Sequence, residues 1–167
     1  MNISSTTETN MRRAIVTYGR ICYERHLITA NDGNISARVD DDRILITPGG
    51  ISKGRMEADD LILLDLAGNL ISAKAGRRPS SETPMHIEVY RQRPDVCAVL
   101  HAHPVFATAL TVAGFDFPSD VLPEVLLTLG DVPVTAYATP SSHEDAEVIR
   151  PFIQNHNALL LRQHGSL

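Results

Sequence analysis

Residues 98–104, Ala-Val-Leu-His-Ala-His-Pro, carry the strongest signal in the chain, an apolar run that ends in two histidines. The run predicts a buried strand of an α/β fold. Side chains alternate between the two faces of a strand, so His101 and His103, which are two residues apart, point the same way. Two imidazoles on one face can bind the same metal ion.

A second buried strand is predicted within residues 159–165, Leu-Leu-Leu-Arg-Gln-His-Gly, and it supplies His164. Three imidazoles leave the fourth tetrahedral position of a zinc ion open, as in catalytic rather than structural sites. Neutral imidazole suits zinc, and also iron, nickel or copper, so zinc is the first expectation. The alternative is a chance spacing, because the chain has 7 histidines and isolated ones are usually surface or core residues.

The composition is that of one globular domain. Of the 167 residues, 43% are hydrophobic and 21% are charged, which is enough apolar material for a core. We expect a single domain over residues 1–167. The formal net charge of −5 argues against a nucleic-acid surface, which needs a clustered basic stripe. Anionic substrates must therefore be bound by local groups.

The sequence also predicts a soluble cytoplasmic protein. Cys22 and Cys97 lie in apolar patterns and are expected to be reduced core residues rather than a disulfide. The N-terminus has no basic region followed by an apolar core, and no apolar stretch approaches the ~18 residues that cross a bilayer.

The hydrophobic pattern alternates between helices and hairpins. Predicted helices cover residues 7–27, 81–93, 105–113 and 141–154, and predicted strands cover 35–39, 43–47, 61–66, 70–73, 96–101, 132–137 and 158–162. Residues 48–50, Pro-Gly-Gly, force a loop, and Pro84 and Pro94 mark the two ends of the second helix. The mixture predicts a layered α/β domain around a mixed sheet.

Three segments in this order are typical of one family. They are Gly33-Asn34 with Thr47-Pro48-Gly49-Gly50, then Pro79-Ser80-Ser81-Glu82, then His101-x-His103 with His164-Gly165. The chain resembles the class II aldolase/adducin family, most closely its L-fuculose-phosphate aldolase-like enzymes. The resemblance implies a three-layer α/β/α domain around a central mixed, largely antiparallel sheet. It also implies that the family's C-terminal tail is missing from this sequence.

The resemblance assigns roles to four metal-site residues. The histidines matching His101, His103 and His164 bind one Zn²⁺ per subunit. The glutamate matching Glu82 is a further ligand in the resting enzyme, and it is the catalytic base once substrate displaces it. Without the resemblance, Glu82 would be an acidic residue at a helix N-terminus, favoured there by the macrodipole.

The resemblance also implies a phosphate-binding set, Asn34, Thr47, Gly49, Ser80 and Ser81. Hydroxyls, an amide and exposed backbone N–H groups at a glycine loop or helix start can hold a phosphate without lysine. The alternative for each residue is ordinary turn and cap chemistry. Arg77 and Arg78 could draw the anion inward, although solvated loop charges are the simpler interpretation.

The implied reaction is retro-aldol cleavage of a phosphorylated ketose, similar to L-fuculose 1-phosphate, to dihydroxyacetone phosphate and an aldehyde. Zinc would stabilise the enediolate as a Lewis acid, and Glu82 would carry the proton at the adjacent carbon. Lys53 and Lys74 are the only lysines and are predicted to lie in polar loops. Nothing therefore supports covalent lysine chemistry.

The chain departs from the aldolase pattern in residues 118–130. The family's aldolase has a catalytic tyrosine there, contributed by a neighbouring subunit, whereas this stretch contains none. Asp120 or Glu124 is a candidate for the missing proton transfer. The resemblance further implies a cyclic homotetramer with the site between subunits, and closed symmetry is the general expectation for soluble oligomers.

Other functions stay open at this point. A 4-epimerase, dehydratase or decarboxylase of the same family would use the same site, although the epimerase has aspartate where this chain has Glu82. An adducin-like scaffold module would keep the fold without metal ligands. A zinc hydrolase would need a water-activating base but no phosphate site.

Overall fold

The core of the protein is one antiparallel sheet. The computed structural model describes residues 3–118 and 121–167. Its main strands are β1 Asn34–Arg38, β2 Arg43–Ile46, β3 Ile62–Asp65, β4 Leu70–Ser72 and β5 Ala98–His101. Their order is β4-β3-β2-β1-β5, and each neighbouring pair is antiparallel. A short hairpin, β6 Leu160–Leu161 and β7 Gly165–Ser166, joins the end of β5 through Ala102.

Helices cover both faces of this sheet. They are α1 Ile3–Glu24, α2 Thr83–Gln92, α3 Val105–Val112, α4 Pro123–Thr128 and α5 Glu144–Ile149, with a 3₁₀ turn at Ala58–Asp60. In β2, Leu45 packs with Ile15 of α1, whereas Ile44 packs with Met85 of α2 and Ile149 of α5. Because successive strand residues face opposite sides, β2 is buried on both faces.

The observed layers confirm the expected three-layer α/β/α architecture. Two apolar cores lie on opposite sides of the sheet, one under α1 and the other under α2 and α5. The mixed character of the sheet is limited, in the described residues, to one parallel bridge between Val134 and Leu160.

The predicted strand over residues 132–137 is wrong. Only Val134 makes a bridge, and the neighbouring Pro133 has no N–H to donate to a ladder. The predicted helix through residue 154 ends at Ile149, close to Pro151, and α4 was not predicted. These regions lie where proline interrupts backbone hydrogen bonding.

The two cysteines differ in their surroundings. Both are free, and Cys22 is buried as expected. Cys97 is exposed, so its predicted place in the core is wrong; it precedes the first residue of β5. In the part of the chain that the structure describes, no helix combines the length and apolarity needed to cross a membrane.

The sheet offers a matched pair of leucines for a stability test. Leu64 on β3 is fully buried, whereas its cross-strand partner Leu70 on β4 is 59% exposed. We expect Leu64→Ala to lower the free energy of unfolding by about 2–5 kcal/mol, because it leaves a cavity. Leu70→Ala should change it by less than about 0.5 kcal/mol. Urea unfolding measures both, and equal losses would contradict this packing.

Candidate metal centre

Strand pairing places the first histidine. In the register of β1 and β5, Asn34 lies opposite His101, and both side chains are buried on the face covered by α2. Val99, two residues earlier, packs against Tyr90 of α2 on that same face. The alternation of side chains along β5 therefore places His101 on this face, at the end of the strand.

A backbone bridge brings the third histidine. Ala102 N–H donates to the Ser166 carbonyl at 3.1 Å, and Ser166 N–H donates to the Ala102 carbonyl at 2.8 Å. A Cβ on Gly165 would overlap the Ala102 carbonyl oxygen and lie 2.8 Å from the His103 ring. The glycine after His164 therefore allows the close approach of the two segments.

The three imidazoles converge on one point. Their ring centroids are 4.7 Å apart for His101 and His103, 4.7 Å for His101 and His164, and 5.0 Å for His103 and His164. One ring nitrogen from each lies within 4.8 Å of the others. Ligand nitrogens on a tetrahedral ion are separated by about 3.4 Å, given Zn–N bonds of ~2.0–2.1 Å. The structure thus brings together the predicted triad in a geometry that could hold one ion.

The protonation of His101 also fits a metal ligand. Its Nδ1 lies 2.9 Å from the Ser166 carbonyl, which can only accept, so Nδ1 carries the proton. Burial lowers the pKa of His101 to about 4, which leaves the ring neutral with a lone pair on Nε2. That Nε2 faces His103 Nε2 at 2.8 Å and Glu82 Oε2 at 3.4 Å. Convergent lone pairs of this kind suit a cation.

Glu82 lies against the triad, directly before α2. Its Oε1 is 3.0 Å from His164 Nε2, and its Oε2 accepts a hydrogen bond from Asn34 Nδ2 at 2.6 Å. Burial alone would raise the pKa of Glu82, but the hydrogen bond to His164, the electrostatic effect of the nearby His101 ring and the hydrogen bond from Asn34 together lower it to about 2. The group is therefore a carboxylate at neutral pH.

A buried network of hydrogen-bonded polar side chains lies next to Glu82. Burial lowers the pKa of His86 to about 3, so the ring is neutral. Its Nε2 donates to Asn34 Oδ1 at 2.5 Å, and its Nδ1 accepts from Ser36 Oγ at 2.7 Å. Tyr90 completes the network by donating to Ser36 Oγ at 2.8 Å. Each amide and hydroxyl therefore has one orientation, and Asn34 directs its N–H₂ at Glu82.

This network was not predicted from the sequence, although a signal for it was present. Glu82, His86 and Tyr90 are spaced at i, i+4 and i+8, which places them on one helix face. Asn34 and Ser36 are two apart on β1 and therefore share a strand face. The two faces meet in the structure.

The centre opens into a cavity of about 260 Å³. This is smaller than the ~300–1,000 Å³ of pockets that bind drug-sized ligands, and it suits a small substrate. Its lining includes Asn34, Gly49, Ser80, Ser81, Glu82, His103 and His164. Four of the five predicted phosphate residues therefore share a cavity with the metal-site side chains.

The fifth predicted phosphate residue, Thr47, is not on that wall. Its hydroxyl is fully buried and accepts the Ile35 N–H at 3.1 Å inside the sheet. Gly49 N–H donates to the Arg78 carbonyl at 3.0 Å, which packs the glycine loop on the segment before Ser80. Ser81 Oγ lies 2.8 Å from Ser141 Oγ, a neighbour that sequence reasoning missed.

The charged residues near the cavity differ from expectation. Arg77 pairs with Asp60 at 2.7 Å rather than facing the cavity. Lys53, predicted in a polar loop, is 2% exposed and lines the cavity. Glu124 is exposed in the first turn of α4 and is not part of the lining. Asp120 lies outside the described residues.

The three-layer α/β/α fold thus brings three imidazoles and a carboxylate close enough together that they could hold one metal ion. The sequence profile of the class II aldolase and adducin N-terminal domain matches residues 13–167. The chain therefore belongs to the class II aldolase and adducin family, as the resemblance implied.

Two relatives carry names for other reactions of this family. A 3-oxo-tetronate 4-phosphate decarboxylase of Haemophilus influenzae is 33% identical over 95% of this chain and 76% of its own length. A methylthioribulose-1-phosphate dehydratase of Acidiphilium cryptum is 38% identical over 86% of this chain and 63% of its own length. These names are not those of an aldolase.

Solved structures share the fold. YgbL of Klebsiella pneumoniae, described with aldolase, epimerase and decarboxylase as candidate activities, has a TM-score of 0.87 and 31% identity. The match covers 95% of this chain and 77% of that one. An L-fuculose 1-phosphate aldolase has a TM-score of 0.85 and 30% identity, covering 94% and 73%.

The triad predicts a measurable metal affinity. We expect His103→Ala to weaken zinc binding by more than about 100-fold, since loss of an outer-shell partner alone costs ~10–100-fold. His143→Ala, which changes an exposed histidine outside the triad, is the control. Competition with a chromophoric chelator measures both. Unchanged affinity in His103→Ala would contradict the site.

Proposed function

We propose that this protein is a metal-dependent carbon–carbon lyase that acts on a small phosphorylated sugar or sugar acid. The observation that supports it is the convergence of three imidazoles with Glu82, of which His103, His164 and Glu82 line one cavity of about 260 Å³. A non-catalytic scaffold would not need four convergent metal-binding donors. A zinc hydrolase is disfavoured because the relatives' names describe decarboxylation or dehydration of phosphorylated sugars or sugar acids.

The metal site in this proposal consists of His101, His103 and His164, with Glu82 as a further ligand before substrate binds. A divalent ion there, zinc in first place, would act as a Lewis acid on neighbouring carbonyl and hydroxyl oxygens. The neutral state of His101 and its bond to Ser166 keep its free nitrogen aimed at the ion's position.

Glu82 is proposed to carry the proton at the reacting carbon. Its low pKa depends on contact with His164 and Asn34. A substrate that separates Glu82 from His164 removes a favourable interaction of the carboxylate, whereas the burial that raises the pKa remains. The group then becomes able to hold and deliver a proton, and the bond from Asn34 keeps one oxygen in place.

Decarboxylation is the reaction that this set of residues supports best. In a 3-oxo-tetronate 4-phosphate, the bond to the carboxylate breaks, its electron pair forms an enediolate and CO₂ leaves. One proton, which Glu82 takes up from solvent once substrate binding raises its pKa, then passes to the enediolate carbon and gives dihydroxyacetone phosphate. A single acid is sufficient, and residues 121–130 contain no tyrosine for a second proton transfer. The decarboxylase relative supports the same reaction.

Aldol cleavage of a ketose 1-phosphate similar to L-fuculose 1-phosphate is the second candidate. It passes through the same enediolate and yields the same dihydroxyacetone phosphate, but an aldehyde leaves instead of CO₂. The observation in its favour is the fold similarity to an L-fuculose 1-phosphate aldolase. It needs a further base for the hydroxyl proton, and Glu124 is exposed away from the cavity.

The products distinguish these reactions. Zinc-loaded protein is assayed with 3-oxo-tetronate 4-phosphates, ketose 1-phosphates, ribulose 5-phosphate and methylthioribulose 1-phosphate. We expect CO₂ and dihydroxyacetone phosphate in equal amounts from the first class. An aldehyde in place of CO₂ would assign aldol cleavage, and loss of water without dihydroxyacetone phosphate would assign a dehydratase.

Glu82→Gln tests the proton step in the same assay. We expect it to keep the metal and to lower kcat by about 10²–10⁴-fold, the usual contribution of general acid–base catalysis. Glu147→Gln, on the exposed part of α5, is the matched control and should retain full turnover. Full turnover by Glu82→Gln would remove that residue from the mechanism.

We further propose that the single domain of residues 1–167 assembles as a homotetramer with the site near a subunit interface. Large apolar side chains on α3, α4 and their connection are exposed: Val105, Phe106, Val112, Phe115, Val121, Leu122, Leu126, Leu127 and Leu129. Exposed apolar surface on this scale marks an interaction surface. Val105 and Val112 adjoin His103 and His164 in a shallow depression. The cytoplasmic location predicted above stays a prediction.

Light scattering after size-exclusion chromatography tests the assembly. We expect the parent mass to be about four protomers, in line with closed symmetry. Phe106→Glu, at a side chain that is 92% exposed, should lower the mass, whereas Leu70→Glu on β4, 59% exposed, should not. A monomeric parent at micromolar concentration would contradict the proposal.

A further inference from the structure

Lys53 is a buried cation on the wall of the site. Its residue exposure is 2%, and it lines the cavity with Glu82 and His103. Among the described residues of that wall, it is the only lysine or arginine. Its burial has a structural cause, because Gly19 of α1 packs on it. A Cβ added to Gly19 would lie 3.1 Å from the Lys53 carbonyl oxygen and 3.3 Å from the Lys53 Cβ.

The ammonium group is incompletely satisfied by the protein. Within residues 3–118 and 121–167 it donates one hydrogen bond, to the Asn31 carbonyl at 2.6 Å, although an ammonium has three N–H donors. Within the described part of the chain, no carboxylate forms an ion pair with Lys53 within 4.0 Å. Asp32 and Glu82 act on it only at longer range.

Burying a charge is unfavourable unless a partner of opposite charge compensates it. Burial lowers the pKa of Lys53 to about 8, which still leaves the group mostly protonated at pH 7. The remaining donors can be satisfied from the cavity side, where Ser80, Ser81 and Gly49 lie. An anionic group in the cavity would provide the missing compensation.

We propose that Lys53 binds the phosphate group of the substrate. This inference rests on the proposed function, which requires a phosphorylated substrate in this cavity. It changes the expected phosphate site, which was predicted without a lysine, and it adds a charged group to the hydroxyl and backbone donors near Ser80 and Ser81.

The phosphate is a better partner for Lys53 than a carboxylate that leaves as CO₂. Negative charge moves from that carboxylate to the enediolate, so a cation beside it would stabilise the substrate more than the transition state. The phosphate keeps its charge throughout the reaction. A cation there binds substrate and transition state alike, and its loss should raise KM while leaving kcat nearly unchanged.

The chain's two lysines provide a matched test. Lys74 is half exposed and lies 3.7 Å from Asp60, outside the cavity. The metal-loaded parent, Lys53→Met and Lys74→Met proteins are titrated with glycerol 3-phosphate, an unreactive phosphate ester, and with glycerol. We expect Lys53→Met to weaken glycerol 3-phosphate binding at least tenfold, and Lys74→Met to have no effect.

A second measurement leaves the protein unmutated. With lysine labelled by ¹³C at Cε, Lys53 and Lys74 give two sets of signals, which the two variants assign. Glycerol 3-phosphate should shift the Lys53 signal and leave that of Lys74 in place, whereas glycerol should shift neither. This measurement remains decisive if Lys53→Met folds poorly.

The inference and the proposed function fail in different ways. Equal glycerol 3-phosphate affinity in parent and Lys53→Met, or an unmoved Lys53 signal under saturation, overturns the role of Lys53 even if the lyase is active. A Lys53-dependent affinity together with no carbon–carbon cleavage in the substrate panel supports the phosphate site and overturns the lyase alone. A rise in KM with constant kcat in Lys53→Met supports both.

Discussion

The site depends on the backbone pairing of Ala102 with Ser166. Two hydrogen bonds of 3.1 and 2.8 Å tie the end of β5 to a hairpin more than sixty residues later in the chain. This bridge brings the segment that carries His164 next to His101 and His103. Gly165 makes the approach possible, because any side chain there would overlap the Ala102 carbonyl oxygen. The absence of a side chain at this one position therefore allows the three imidazoles to converge.

The buried polar network lies next to these imidazoles. Ser36, His86 and Tyr90 are buried between β1 and α2, where apolar side chains would pack without hydrogen bonds. Their bonds are all satisfied and all have one direction, which avoids the cost of an unpaired buried group. This network ends at Asn34, whose amide donates to Oε2 of Glu82, whereas His164 contacts Oε1. The buried polar network thus orients Asn34, and through it one oxygen of Glu82.

Much of the fold could be predicted from local sequence, since both hairpins of the sheet have turn residues between alternating apolar runs. The absence of a strand at residues 132–137 could not, because the hydrophobic pattern alone favours a strand there and Pro133 interrupts its hydrogen bonding. The pairing of Asn34 with His101 joins distant segments and was not predicted; the family resemblance implied only that the two residues serve one site. Lys53 was placed in a polar loop because its neighbours are polar; its burial comes from α1, a contact that no local pattern encodes.

The charges around the cavity link metal binding to anion binding. Among the described lining residues, Asp32 and Glu82 are the carboxylates and Lys53 is the ammonium, so the formal charges of these acidic and basic side chains sum to a negative value before a divalent ion binds. The protein as a whole is also negative, with a formal net charge of −5. A dianionic phosphate would be repelled from such a site, whereas the same cavity with a divalent ion is net positive. Since linkage is reciprocal, the ion favours the phosphate and the phosphate favours the ion. Under the proposed function, a phosphorylated substrate would therefore favour the metal-loaded protein, in which a divalent ion could activate the substrate carbonyl.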